Sequence, residues 1–210
     1  MTAFDFGDLP VRAELIESFE QAWLEIATPG TWLTAHQRVE IAERARAAFE
    51  GRVPVAASMG AEMCEAVDVL AARPAITSEE WVRRTTDATG ELEYVELTGI
   101  VARVVAIDTF CRHLGVEPVP FSTPVEGEPT RIAPPDGLRR NRTWVSMDLP
   151  LPPFVLGSVP AAQTAMNDVS VPLYMPMEEM GDHDWRRGEL HRTQIELVAA
   201  TVSHVNECFY

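Results

Sequence analysis

Three cysteines, one glutamate and one histidine are the residues of this chain whose types and spacing could do chemistry. The cysteines stand at 64, 111 and 208. They are too few and too scattered for a disulfide scaffold, so each is weighed as a buried small hydrophobe or as a reactive thiol. Cys64, with Met63 and Val67 on a helical pattern, reads as a packed core thiol. Cys208, taken by itself, reads as an ordinary cysteine near the C-terminus. Glu196 is harder to set aside, because it interrupts an apolar helical stripe and a buried carboxylate is costly unless partnered. Arg186, Arg187 and Arg192 are near enough in sequence to make it a structural salt bridge instead. His204, between Glu196 and Cys208, is either a solvated last-turn residue or a proton relay. His183, His191 and His204 have no ligand-type spacing with Cys208, so no metal site is expected.

The chain resembles itself around two of these residues. Tyr94-Val95-Glu96-Leu97 and Gln194-Ile195-Glu196-Leu197 lie 100 residues apart and introduce similar helices. Glu96 then pairs with Glu196, Ala106 with Asn206, Asp108 with Cys208, and Phe110 with Tyr210. Cys111 falls opposite the position after Tyr210. The first copy therefore reads Asp-x-x-Cys and the second begins Cys-x-x. A first copy without the leading cysteine reads as a degenerate site kept for structure, with a rescue reading in which Cys111 approaches Cys208 and resolves it.

Helices must position these residues. Leu15, Phe19, Trp23 and Ile26 recur at helical spacing over 11–27, and Pro29-Gly30 stops that helix. Thr34 to Gln37 reads as a capping box that opens a second helix to about Phe49. A third spans 59–72, and Thr77 to Glu80 starts a short fourth carrying Trp81. From Glu91 to Leu114 the chain is apolar almost all round, which predicts a buried central helix stopped by Gly115. Ten prolines between 118 and 160 predict an irregular segment instead. Its Val119, Phe121, Trp144 and Phe154 argue that it lies along a surface, its own or a neighbour's. Helix returns near Ala161, breaks near Pro172 and Pro176, and resumes near Leu190 with Ile195, Val198, Ala199 and Val202 on one stripe. No segment has a convincing strand period. The expected organisation is an N-terminal helical repeat (1–115), a Pro-rich crossing segment (116–160) and the start of a C-terminal repeat (161–210).

Composition narrows the functional classes. The 210 residues hold 17 Lys plus Arg against 32 Asp plus Glu, a formal charge of −15. Such a field repels phosphate backbones and anionic lipid, so neither nucleic acid nor a membrane is an expected partner. The longest apolar run, Leu97 to Ile107, contains Arg103 and is too short to span a bilayer. Met1 to Pro10 carries two aspartates and no basic cluster, which reads as a cytoplasmic protein.

The stretch from Gln194 to Tyr210, with Ser203, Asn206, Cys208 and Tyr210 in the pattern Ser-x-x-Asn-x-Cys-x-Tyr, resembles the signature of the alkylhydroperoxidase D-like (carboxymuconolactone decarboxylase) family. In that family a glutamate precedes the first cysteine by twelve residues, as Glu196 precedes Cys208. The resemblance implies an all-α helical bundle with two repeats, a homo-oligomeric assembly, and a thiol- or selenol-dependent peroxidase or oxidoreductase acting on a small peroxide with a thiol reductant. It makes Cys208 the redox thiol, Glu196 the proton relay and His204 a further candidate relay, with Asn206 capping a new helix at Glu207. The family's second cysteine and its histidine would follow Tyr210. The expectation is thus a chain ending within its redox motif, by a selenocysteine codon read as stop, by truncation, or as a mature end, and in that form inactive or impaired. No cofactor is implied beyond such a selenocysteine. A non-catalytic assembly or binding protein and a decarboxylase-type enzyme remain the alternatives.

Overall fold

A computed structural model describes residues 3–54, 58–140, 143–148 and 154–206. It is all-α: the described residues form seven α-helices and a single two-stranded hairpin. The chain divides into two compact units, Met1–Val169 and Ser170–Tyr210.

The first unit is built around α5 (Glu91–His113), whose apolar residues are buried or half-buried and which packs against α1 (Ala13–Ile26), α2 (Ala35–Phe49), α3 (Ala61–Ala72) and α4 (Glu79–Thr89). The caps are the ones the sequence signals. Thr34 Oγ1 accepts the Gln37 N–H and Gln37 Oε1 accepts the Thr34 N–H (2.9 Å), which satisfies two orphan donors at the start of α2. Ser78 Oγ accepts the Trp81 N–H at 3.2 Å and starts α4. Gly115, at φ +72°, ends α5 in a Schellman motif, in which the Val116 N–H reaches the Cys111 carbonyl and the Gly115 N–H that of Arg112.

Phe4, Phe19, Trp23 and Phe110 interlock edge-on at one end of α1, with ring centroids 5.3–5.6 Å apart. The first part of the Pro-rich segment, residues 119–131, lies along the surface of this same unit. Phe121 packs at a tilt against Trp23, Trp23 Nε1 donates to the Val119 carbonyl, and Val125, Thr130 and Arg131 donate their amides to Ala27, Gly30 and Thr31. That strap closes over the loop between α1 and α2. A second small core joins Val95 of α5 to Leu156, Val159 and Ala162. Gly99 lets that contact close, since Leu156 Cδ1 lies 3.0 Å from where a Cβ would stand.

Two details depart from the expected elements. The helix at 161 is Pro160–Leu173 (α6), and Pro172 lies inside its last turn rather than breaking it. A proline there cannot donate to the Asp168 carbonyl, which accepts the Ser18 hydroxyl at 2.7 Å instead. The second unit also contains a hairpin, β1 (Arg186–Arg187) paired with β2 (Leu190–His191), which is too short to leave a period in the sequence. Gly188 at φ +58° makes its tight turn. The hairpin leads directly into α7 (Arg192–Val205). No described helix is long and apolar enough to cross a membrane.

Candidate functional site

Helix α7 begins with its own reciprocal cap. The Thr193 amide donates to His191 Nδ1 (3.3 Å), and the His191 amide donates to Gln194 Oε1 (2.9 Å). One turn in, Arg192 and Glu196 sit on the same side of the helix, as an i,i+4 pair must. Arg192 Nε donates to Glu196 Oε1 at 2.7 Å, and Arg192 Nη1 donates to the carbonyl of Glu179 at 3.2 Å. The Tyr174 hydroxyl donates to the same carboxylate oxygen at 2.6 Å.

These groups open onto a cleft of about 870 Å³ whose polar lining is Tyr174, Glu196, Ser203 and His204 and whose apolar lining includes Met180 and Val202. The Tyr174 hydrogen bond, and behind it the Arg192 guanidinium, hold the Glu196 carboxyl below the usual 4.5. Burial and the Glu196 carboxylate push the Tyr174 phenol up to about 12. At neutral pH the pair is therefore an anion held by a neutral phenol. Among the described residues no three His, Cys, Asp or Glu side chains converge so as to hold a metal ion.

Of the three residues singled out from the sequence, Glu196 and His204 line this one cleft. They stand eight residues apart on α7, about 12 Å along the axis at the helical rise, so water in the cleft would have to join them. His204 is exposed. Cys208 lies outside the described residues. So does Glu207, where a new helix was expected; Asn206 closes α7, its side-chain N–H donating to the Val202 carbonyl. Two expectations about α7 change. Glu196 is not buried: its side chain is 43% exposed, and of the three candidate arginines Arg192 is the one that pairs with it. The apolar stripe is also open, with Leu197, Val198, Val202 and Val205 all exposed.

The residues 100 positions earlier in the chain look different. Glu96 is 2% exposed and accepts Arg38 Nη1 (2.5 Å), the Thr31 amide (3.1 Å) and the Trp32 amide (2.7 Å). Arg38 also bonds Glu25, and Arg103, buried in α5, donates to the other oxygen of Glu25 at 2.6 Å. Burial alone would raise Glu25, but the guanidinium groups of Arg103 and Arg38 outweigh it and hold the carboxyl below its usual value. Two arginines and two glutamates thus neutralise one another inside the first unit. Sequence reasoning marked Arg103 only as a break in an apolar run and did not single out Glu25, Arg38 or Tyr174.

Asp108, 100 residues before Cys208, is buried and held by a fork from Arg46, with Nε to Oδ2 at 2.6 Å and Nη2 to Oδ1 at 2.9 Å. Cys111 beside it is fully buried, and burial together with the Asp108 charge pushes its thiol from 9.0 up to about 11. A protonated, enclosed thiol is a packing group. Cys64 is half-buried, its sulfur 3.8 Å from the Met59 carbonyl. Compared with known proteins, the chain matches no family model, no curated protein and no solved structure.

Proposed function

We propose that the second unit is the redox half of a thiol- or selenol-dependent peroxidase or related oxidoreductase, resembling the alkylhydroperoxidase D-like family, with Cys208 as the attacking thiol. The observation that carries this reading is the contrast between the two copies. Glu96 is locked inside the protein by Arg38 and two amides, whereas Glu196 is kept ionised in an open cleft on the helix that leads to Cys208.

In the proposed reaction the Cys208 thiolate attacks one peroxide oxygen. A sulfur–oxygen bond forms, the oxygen–oxygen bond breaks, and the departing oxygen takes a proton to leave as water or an alcohol. A second thiol, from elsewhere in the protein or from a reductant, then displaces water from the sulfenic acid and forms a disulfide. Glu196 accepts the proton that the Cys208 thiol must lose and returns it to the departing oxygen. His204, four residues before Cys208 and on the same cleft, is the nearer station.

The test is to add one equivalent of hydrogen peroxide to the chain, trap sulfenic acid with dimedone, and map the cysteines by mass spectrometry. Cys208 is expected to carry the adduct and Cys208→Ser to abolish it. Cys111 should resist iodoacetamide until the protein unfolds, since its raised pKa lowers the thiolate population about 100-fold and burial denies access. Adduct on Cys64 with Cys208 left reduced would overturn the proposal.

The exposed Leu197, Val198, Val202 and Val205 support a second component of the reading, a homo-oligomer in which another copy covers this face of α7. Light scattering should report more than one chain per particle, and Val202→Asp should lower that mass. A monomer at micromolar concentration would remove the assembly.

A further inference from the structure

Tyr174 belongs to no motif in the sequence, yet it contacts the carboxylate that, among the described residues, lines the cleft. Its hydroxyl and Arg192 Nε both donate to Glu196 Oε1, at 2.6 and 2.7 Å. Among the described residues no donor reaches Oε2 of the same group. A carboxylate anchored through one oxygen by two donors has a fixed plane, and its second oxygen remains the proton acceptor. The two anchors come from different places: Arg192 from the first turn of α7, and Tyr174 from the residue following α6. Arg192 is itself held by the Glu179 carbonyl, so the anchor does not swing with solvent.

From this geometry we infer that Tyr174 is a positioning residue, orienting Glu196 so that Oε2 faces the cleft as the proton-accepting oxygen; the inference rests on the cleft being the redox site. Arg192 alone would leave the carboxylate free to rotate and exchange oxygens, because a single guanidinium N–H sets a direction but not a plane. The charged and titratable groups that bear on Glu196 are Arg192 on its own helix, Tyr174 from the preceding segment and His204 on the cleft wall.

The full-length chain labelled with carboxyl-13C glutamate is titrated by NMR, and the rate of Cys208 oxidation by hydrogen peroxide is measured across the same pH range. Tyr174→Phe, which keeps the ring and removes the donor, is expected to raise the Glu196 midpoint. It should move the acid limb of the oxidation rate upward with it, slowing the reaction about three- to tenfold on that limb. Fluorinated tyrosine at 174, a stronger donor of almost unchanged shape, should move both in the opposite direction, and it serves if the phenylalanine variant unfolds. An unmoved Glu196 midpoint in both variants would overturn the inference and reduce Tyr174 to a packing contact. A midpoint that moves while Cys208 never oxidises would uphold the positioning of Glu196 and sink the peroxidase reading.

Discussion

Glu96→Ala is expected to lower the unfolding free energy of the first unit by about 3–5 kcal/mol. The carboxylate is 2% exposed and satisfies three donors at once: Arg38 Nη1 and the amides of Thr31 and Trp32. Its removal leaves Arg38, 3% exposed, with a net charge inside the protein that only Glu25 still opposes, and it orphans the amides of buried Thr31 and half-buried Trp32. Arg103 is 2% exposed and shares Glu25 with Arg38, so the remaining carboxylate must serve two guanidinium groups. Four of the five tryptophans, at 23, 32, 81 and 144, lie in the first unit, so urea unfolding followed by tryptophan fluorescence reads this loss directly. The melting midpoint should fall by roughly 6–20 °C for a domain of this size. Arg38→Met combined with Glu96→Ala should cost less than the sum of the two changes, because the stranded charge is gone. Glu196→Ala makes the control: its side chain is 43% exposed and its ion pair is screened, so a change of about 1 kcal/mol or less is expected. Equal costs at the two positions would show that enclosure of Glu96 adds nothing to its contribution.

That contrast marks the limit of what is legible in the sequence. Local chemistry is readable: the Thr34 to Gln37 cap, the Gly115 stop and the apolar faces of α1 and α5 follow from residue types and spacing that act within one or two turns. The all-α class follows from them. Pairing across the chain does not. Arg38 meets Glu96 across 58 residues and Arg103 meets Glu25 across 78, and nothing local distinguishes these arginines from solvated ones. Glu96 and Glu196 each follow an aliphatic residue and precede a leucine, yet α5 is surrounded by helices whereas α7 leaves Leu197 and Val198 exposed. Burial is a property of the neighbours, so an expectation of a buried Glu196 drawn from its helix alone had no way to include them. Tyr174 escaped notice for the same reason, since it reaches Glu196 across 22 residues of turns and hairpin.

Gly30→Ala should be nearly as damaging as Glu96→Ala, at about 2–4 kcal/mol, although a methyl group is all it adds. A Cβ at Gly30 would stand 1.8 Å from Glu96 Oε1 and 2.1 Å from Arg38 Nη1, distances at which something must move. Neither group can yield cheaply. Glu96 is fixed by the amides of the two residues that follow Gly30, and Arg38 is fixed by Glu25 and the Ile26 carbonyl. The loop itself is tied down from outside, since the Thr130 amide donates to the Gly30 carbonyl at 3.0 Å and the Gly30 amide to that of Leu33 at 2.9 Å. The added methyl must therefore either part the buried ion pair or lift the loop from the Pro-rich strap. Gly30 has no left-handed backbone angle, so the cost is contact with the carboxylate rather than backbone strain. This predicts coupling: in a Glu96→Ala background, where the nearer obstructing atom is absent and only Arg38 Nη1 remains in the way, Gly30→Ala should cost less than it does in the unaltered protein. Urea unfolding of the four members of that cycle measures it. Additive losses would show that the loop resists the methyl for a reason other than the carboxylate it encloses.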